Sequence, residues 1–160
     1  MSAPLKQKLI SPVLMWSIII TGIFLFMWLL PHVWLFRRNI FTSLLLIPAA
    51  LNWLYFFFGA VRVHRRAPQS AAAINHVVTT GVYAMVRHPI YSADILLAWG
   101  VFFFLPTLSI LCSAAWLTVV MVAWMNLEEH ALEEKFGDEY TCYKNRTPMF
   151  IPNYRARTQP

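Results

Sequence analysis

Charged residues are scarce in this 160-residue sequence, and they are missing from several long stretches. They make up 12% of the chain, whereas hydrophobic residues make up 59%, more than in an average soluble domain. Four apolar stretches carry this excess, at residues 9–30, 40–61, 89–105 and 107–127, and only the third contains a charge, Asp94. Because a soluble helix keeps one polar face, these stretches exclude an ordinary soluble bundle.

All four stretches have the composition of membrane-spanning helices. A bilayer core about 30 Å thick needs about 20 helical residues, and only the third stretch is a little short. The first is too long for the apolar region of a secretory signal, and no small-residue cleavage site follows it, so we expect it to remain as an anchor. The sequence therefore predicts an all-α, multi-pass transmembrane bundle of about four spans in one domain.

The basic residues predict the orientation of this bundle. All lysines and arginines except Arg37 and Arg38 precede the first span, lie between the second and third, or follow the fourth. The positive-inside rule then places those segments and both termini in the cytoplasm, at the inner membrane if the source is bacterial. The net charge of +6 reflects topology and contact with anionic lipid rather than nucleic-acid binding.

Familiar cofactor and metal patterns are also missing. The sequence has no GxGxxG or Walker-type loop, and its histidines lack a metal-ligand spacing such as HExxH. We therefore predict no metal site and no nucleotide-binding loop of these kinds.

Two polar clusters stand at the ends of the last two spans. Arg87 and His88 directly precede Pro89, which suits the first turn of a helix because its missing N–H is not needed there. Glu128 and Glu129 directly follow the fourth span. Each cluster is open to a structural and a functional interpretation.

Arg87 could be an interfacial anchor, as basic residues at span ends usually are. The two glutamates could form ion pairs with arginines, or they could bind a cation or a ribose diol. Asp94 could reach the interface and be solvated, although intramembrane carboxylates are functional candidates by default.

The spacing predicts that the two clusters meet. Only Pro106 separates the third and fourth stretches, so we expect a tight helical hairpin over 89–127 whose ends return to the same interface. Residues 127–136 favour a helix that Gly137 can end, continuing from the fourth span. The predicted organisation is two N-terminal spans (1–61), a cytoplasmic connection (62–88), the hairpin (89–127) and a cytoplasmic tail (128–160).

These clusters resemble the isoprenylcysteine carboxyl methyltransferase family and its relatives, the phospholipid methyltransferases. The resemblance covers about residues 69–152 and rests on two ordered motifs with the hairpin between them. The first consists of Gly81, Tyr83, Arg87, His88, Pro89 and Tyr91. The second consists of Glu128, Glu129, Leu132, Phe136, Gly137, Glu139, Tyr140 and Tyr143, followed by "MFIP".

The resemblance implies an integral membrane methyltransferase that binds S-adenosylmethionine at its cytoplasmic face, covered by the C-terminal tail. By position, the implied cofactor contacts are Asn75, His76, Val77, Val78, Tyr83, His88, Pro89, Ile90, Tyr91 and Glu128. It leaves the catalytic group open among Arg87, Asp94 and Glu129.

The acceptor implied by the resemblance is a membrane lipid or another lipophilic molecule. Prenylcysteine methyltransferases carry an arginine four residues before the cofactor-binding glutamate, where this chain has Trp124. We therefore expect an acceptor other than a prenylcysteine, either lipid-like or small and apolar, near Trp124 and Asp94. Two rival functions are an NADPH-dependent reductase of the related sterol reductase type and a non-enzymatic membrane subunit.

Overall fold

The computed structural model describes residues 11–63 and 76–153, and these residues are predominantly helical. Its helices are α1 (Pro12–Leu29), α2 (Ile40–Leu44), α3 (Leu46–Val63), α4 (Pro89–Phe104), α5 (Leu108–Phe136) and α6 (Asp138–Arg146). A short 3-10 helix, Gly81–Ala84, precedes α4. The predicted all-α helical bundle is confirmed.

Three segments are long and apolar enough to cross a membrane: Pro12–Leu29, Ile40–Val63 and Leu108–Phe136. The shorter apolar helix α4 has 16 residues, just below the usual range of about 17–25 for a spanning helix. It corresponds to the stretch that the sequence showed to be short. The number of crossings and the side of the termini remain predictions.

The helix boundaries follow local chemistry. Pro12 and Pro89 occupy first turns, where a missing N–H is tolerated. Thr107 caps α5 by accepting a hydrogen bond from the Ile110 N–H at 3.4 Å. Gly137 ends α5 with a φ of 54°, a conformation that glycine adopts without strain. The predicted helix over 127–136 is thus the continuous end of α5.

The bundle packs around α4 and α5. Helix α4 lies against α3 and α5, and α1 packs along α5. Gly22 makes the α1–α5 contact possible, since a Cβ there would lie 2.0 Å from the indole Nε1 of Trp116. Gly100 does the same between α4 and α3, where its Cβ would lie 2.8 Å from that of Ala49. Close packing therefore fixes α4 between its two neighbours.

The predicted tight hairpin joins α4 to α5. Backbone hydrogen bonds from the segment after α1 hold the turn between these two helices in place. Leu35 N donates to Pro106 O at 2.8 Å, and Leu108 N donates to Val33 O at 3.0 Å. The hairpin ends opposite this turn are therefore brought back to one side of the bundle.

Candidate functional site

The candidate site lies where the start of α4 meets the last turns of α5. His88 immediately precedes α4 and is 7% exposed. Its Nε2 lies 3.1 Å from Glu129 Oε1, and its Nδ1 lies 3.9 Å from Glu128 Oε2, too far for a hydrogen bond. The structure thus brings together the two clusters that the sequence places at opposite ends of the hairpin.

Arg87 and Glu129 form a buried, bidentate ion pair. The guanidinium Nε and Nη2 donate to the two carboxylate oxygens at 2.8 and 3.2 Å, and the side chains are 8% and 5% exposed. Lys144 Nζ lies 3.3 Å from Glu129 Oε2. Both oxygens of Glu129 are therefore fully engaged, which agrees with the ion-pair interpretation of this glutamate.

Arg87 also holds the segment after α6, residues 147–153, which we call the strap. Its Nη1 donates to the carbonyl oxygens of Lys144, at 2.9 Å, and Thr147. Its backbone N–H donates to Pro148 O at 2.9 Å, and at the far end of the strap Asn153 N donates to Met85 O at 2.8 Å. Arg87, Glu129, Lys144 and the strap form what we call the strap cluster.

Lys144 and the strap carbonyls are functional neighbours that the sequence did not single out. Lys144 donates to Glu133 at 2.7 Å, which is the main reason that its pKa lies above the ordinary value. A lysine in a polar helix carries no sign of its distant partners, and backbone carbonyls carry no sequence signal. The closing "TPMFIP" could have indicated only that an extended segment follows α6.

Glu128 has a different environment from Glu129. Tyr91 donates its hydroxyl to Glu128 Oε1 at 2.8 Å, and the Tyr91 ring stacks on His88 with centroids 5.8 Å apart. No described residue donates a hydrogen bond to Glu128 Oε2, and the side chain is 12% exposed. We call His88, Tyr91 and Glu128 the pocket wall.

Tyr83 lies in the 3-10 helix, close enough to Glu128 for the two side chains to interact electrostatically. Its carbonyl accepts a hydrogen bond from the Tyr143 hydroxyl at 2.7 Å, which fastens α6 to the segment before α4. Burial and the nearby Glu128 carboxylate raise the pKa of Tyr83 to about 12, so its hydroxyl stays protonated at physiological pH. Gly81 begins the same 3-10 helix with a φ of 64°, and a Cβ there would lie 2.5 Å from Val63 Cγ2, as expected for a tight turn.

The other predicted cofactor contacts divide into three groups. Asn75 lies outside the described residues. His76, Val77 and Val78 lie outside any helix or strand, and no backbone hydrogen bond joins them to another described residue. Pro89 is fully buried and has no N–H, and Ile90 packs against the core of α3, so a ligand could contact this pair mainly through the first-turn N–H of Ile90.

The two residues predicted near the acceptor differ in burial, since Asp94 is half-buried near the start of α4 and Trp124 is buried. Asp94 Oδ1 accepts a hydrogen bond of 2.5 Å from the Trp53 indole, and its Oδ2 is buried without a partner among the described residues. Trp124 is 6% exposed and packs in the core between α4 and α5, and its Nε1 is also unpartnered. Their predicted roles stay predictions.

These features define a class of protein: an all-helical membrane protein with a buried, charged site at one end of its hairpin. Among the described residues, no group of three or more His, Cys, Asp or Glu side chains could hold a metal ion. The groups that the described part of the site offers to a ligand are therefore carboxylates, aromatic rings and basic side chains.

The chain belongs to the phospholipid methyltransferase family, whose sequence model matches residues 57–139, just over half of the chain. It is 35% identical over 101 residues to methanethiol S-methyltransferase 1 of Bradyrhizobium diazoefficiens, covering 62% of this chain and 34% of that protein. It is 35% identical over 83 residues to protein-S-isoprenylcysteine O-methyltransferase B of Arabidopsis thaliana, covering 48% of this chain and 39% of that protein.

The chain thus spans little more than a third of the length of these curated relatives. No solved structure matches it. The resemblance seen in the sequence motifs is confirmed, and the family together with the apolar helices identifies an integral membrane protein.

Proposed function

We propose that this protein is an S-adenosylmethionine-dependent methyltransferase that acts on a lipophilic or small apolar acceptor. The observation that carries the proposal is the contrast between two adjacent glutamates in a chain of this family. Glu129 is saturated by Arg87, His88 and Lys144, whereas one oxygen of Glu128 receives no hydrogen bond from any described residue and lies beside two aromatic rings. A carboxylate left in this state is suited to a ligand that carries positive charge or hydroxyl groups.

The residues present fit S-adenosylmethionine. Glu128 Oε2 can accept from a ribose hydroxyl or pair with an ammonium group, while Tyr91 holds the other oxygen in place. The ring faces of Tyr83 and Tyr91 can attract a sulfonium by cation–π contact, worth about 0.5–2 kcal/mol. The backbone of residues 76–78, which lies outside any helix or strand, offers N–H and C=O groups to the adenine and to the amino-acid end.

When bound, the cofactor would supply a methyl group on a positively charged sulfur. A lone pair of the acceptor would form the new bond to the methyl carbon, and the sulfur would leave with the electrons of the broken bond. The chain then has to align two molecules and exclude water, and no covalent enzyme intermediate is required. We assign Arg87 and Glu129 to this alignment, since their ion pair fixes the start of α4, the end of α5 and the strap relative to one another. An acceptor that is already a carboxylate needs no base, whereas a hydroxyl, thiol or amine acceptor must give up a proton.

Calorimetric titration of the purified protein in lipid nanodiscs, with S-adenosylmethionine and separately with NADPH, tests the proposal. We expect wild type to bind S-adenosylmethionine, and Glu128→Gln to bind it at least about tenfold more weakly, the loss of one charge-assisted hydrogen bond. Glu134→Gln, an exposed glutamate on the same helix, is the matched control and should bind as wild type does.

Binding of NADPH without S-adenosylmethionine would contradict the proposal and favour a reductase. Binding of neither, with an unchanged phenotype for Glu128→Gln in cells, would favour a non-enzymatic subunit.

A further inference from the structure

A cavity lies among the helices, and none of the charged residues of the candidate site lines it. It has a volume of about 410 Å³ and is bounded by α3, α4, α5 and the strap. This volume falls in the lower part of the range of about 300–1,000 Å³ found for small-molecule pockets. At its rim Leu96 is 46% exposed and Ile151 is 75% exposed, so the cavity opens to the surface of the bundle.

The wall of this cavity is apolar except for three neutral polar side chains, Asn52, Ser92 and Thr118. Thr118 is satisfied, since its hydroxyl donates to Ala114 O at 2.8 Å and accepts from the Trp99 indole at 3.2 Å. Ser92 is 7% exposed, and its Oγ is buried with no partner among the described residues. A buried hydroxyl without a partner costs free energy, so a rotation about χ1 that turned Ser92 Oγ toward the cavity and onto a ligand group would be favourable.

No charged side chain lines the cavity in the described part of the chain. A charged ligand would lose its hydration there without gaining a counter-charge, which is strongly unfavourable. The cavity therefore favours a neutral occupant.

Two features connect the cavity to the candidate site. Ser92 lies one helical turn after His88, and its backbone N–H donates to His88 O at 3.0 Å. Phe150 and Ile151 of the strap form part of the cavity wall, and Arg87 holds the same strap while it pairs with Glu129. The cavity and the pocket wall therefore share helix α4. The strap, which forms part of the cavity wall, is held by Arg87 beside the pocket wall.

We infer that this cavity is the binding site of the methyl acceptor, and that the acceptor is a compact, uncharged, mainly apolar molecule. Its single polar group bonds to the Ser92 hydroxyl once that side chain has turned toward the cavity. The inference rests on the proposed methyltransferase function and adds the class of acceptor. It excludes a free carboxylate acceptor. A lipid acyl chain seated in the same cavity is the competing occupant.

The test measures binding of two probes of similar shape and different charge, neutral 2-naphthol and anionic 2-naphthoate. Saturation-transfer NMR of the protein in nanodiscs, without S-adenosylmethionine, gives the binding of each probe. We expect 2-naphthol to bind, Leu96→Trp to abolish the signal by filling the mouth, and Ser92→Ala to weaken it about two- to tenfold, as for one neutral hydrogen bond. Binding of 2-naphthoate should be at least tenfold weaker than that of 2-naphthol.

Matched controls separate these effects from damage to the fold. Val101→Trp adds the same side chain to an exposed position on α4 outside the cavity, and Ser113→Ala removes a buried hydroxyl that already bonds to Ser109 O. Both should bind 2-naphthol as wild type does. Because Ser92 Oγ has no hydrogen-bond partner among the described residues, Ser92→Ala should not lower the melting temperature.

Three results would overturn the inference. The first is equal binding of the two probes, and the second is unchanged 2-naphthol binding in Leu96→Trp. The third is that Leu96→Trp loses co-purified phospholipid, measured by mass spectrometry, but still binds 2-naphthol. Transfer of label from methyl-labelled S-adenosylmethionine to the neutral small-molecule fraction of a host extract should fall in Leu96→Trp and persist in Val101→Trp.

The probe experiment is independent of the cofactor. A protein that fails to bind S-adenosylmethionine but binds 2-naphthol would contradict the proposed function and leave a neutral-ligand cavity. The opposite result would contradict only the assignment of the cavity.

Discussion

Glu128 and Glu129 are adjacent in sequence, yet they belong to regions with different physical roles. In the strap cluster, Glu129 receives donors from three basic side chains and is almost fully buried. In the pocket wall, Glu128 accepts a hydrogen bond from one tyrosine hydroxyl, and its other oxygen has no donor within residues 11–63 and 76–153. The difference shows that saturation of a carboxylate, more than its burial, separates a group that holds the fold from one that can hold a ligand.

The largest expected effect comes from breaking the strap cluster. Arg87→Ala leaves the Glu129 carboxylate buried without its main partner, which should lower the free energy of unfolding by about 3–5 kcal/mol. Denaturant titration in mixed micelles measures this change. Arg87→Lys keeps the charge but loses the bidentate geometry, so it should recover only part of the loss. If Arg87→Ala unfolds like wild type and loses only cofactor binding, Arg87 belongs with the pocket wall.

A middle-sized effect should come from two tyrosines that differ in which region they serve. Tyr91→Phe removes the hydroxyl that orients Glu128, and it should weaken S-adenosylmethionine binding about tenfold with little change in melting temperature. Tyr143→Phe removes the hydrogen bond to Tyr83 O, and it should lower the free energy of unfolding by about 1 kcal/mol with little change in binding. Calorimetry and thermal melting on both variants measure these changes. Weaker binding in Tyr143→Phe together with lower stability in Tyr91→Phe would contradict the assignment of the two tyrosines to different regions.

The smallest effect should come from Lys144. Its side chain is 37% exposed, so solvent screens its contacts with Glu129 and Glu133. Lys144→Ala should change the free energy of unfolding by no more than about 1 kcal/mol. The same titration at low and high salt measures it, and a loss as large as that of Arg87→Ala would show that two cations carry the cluster jointly.

Much of the fold was predictable because its signals are local. The length of the apolar stretches, Pro89 at a first turn, Pro106 between two stretches and Gly137 after a helix-forming segment predicted the hairpin and its continuation. Together they were enough to place His88 beside the two glutamates.

The division of labour between the two glutamates was not predictable. It depends on which carboxylate the guanidinium of Arg87 reaches, and this follows from the rotation of α5 against α4, which one residue of register would change. The cavity was hidden for the same reason, since its wall combines α3, α4, α5 and the strap. Hydrogen bonds to the carbonyls of Lys144, Thr147 and Pro148 leave no pattern in side-chain chemistry.

Helix α5 runs without a break for 29 residues, a length of about 44 Å at 1.5 Å per residue. A hydrocarbon core of about 30 Å cannot contain all of it, so its final turns must project from the lipid. The height of the two glutamates above the acyl chains is therefore set by the thickness of the host bilayer. A thicker membrane, such as one enriched in sterol, would draw these carboxylates toward the lipid and raise the cost of keeping Glu128 ready for a ligand.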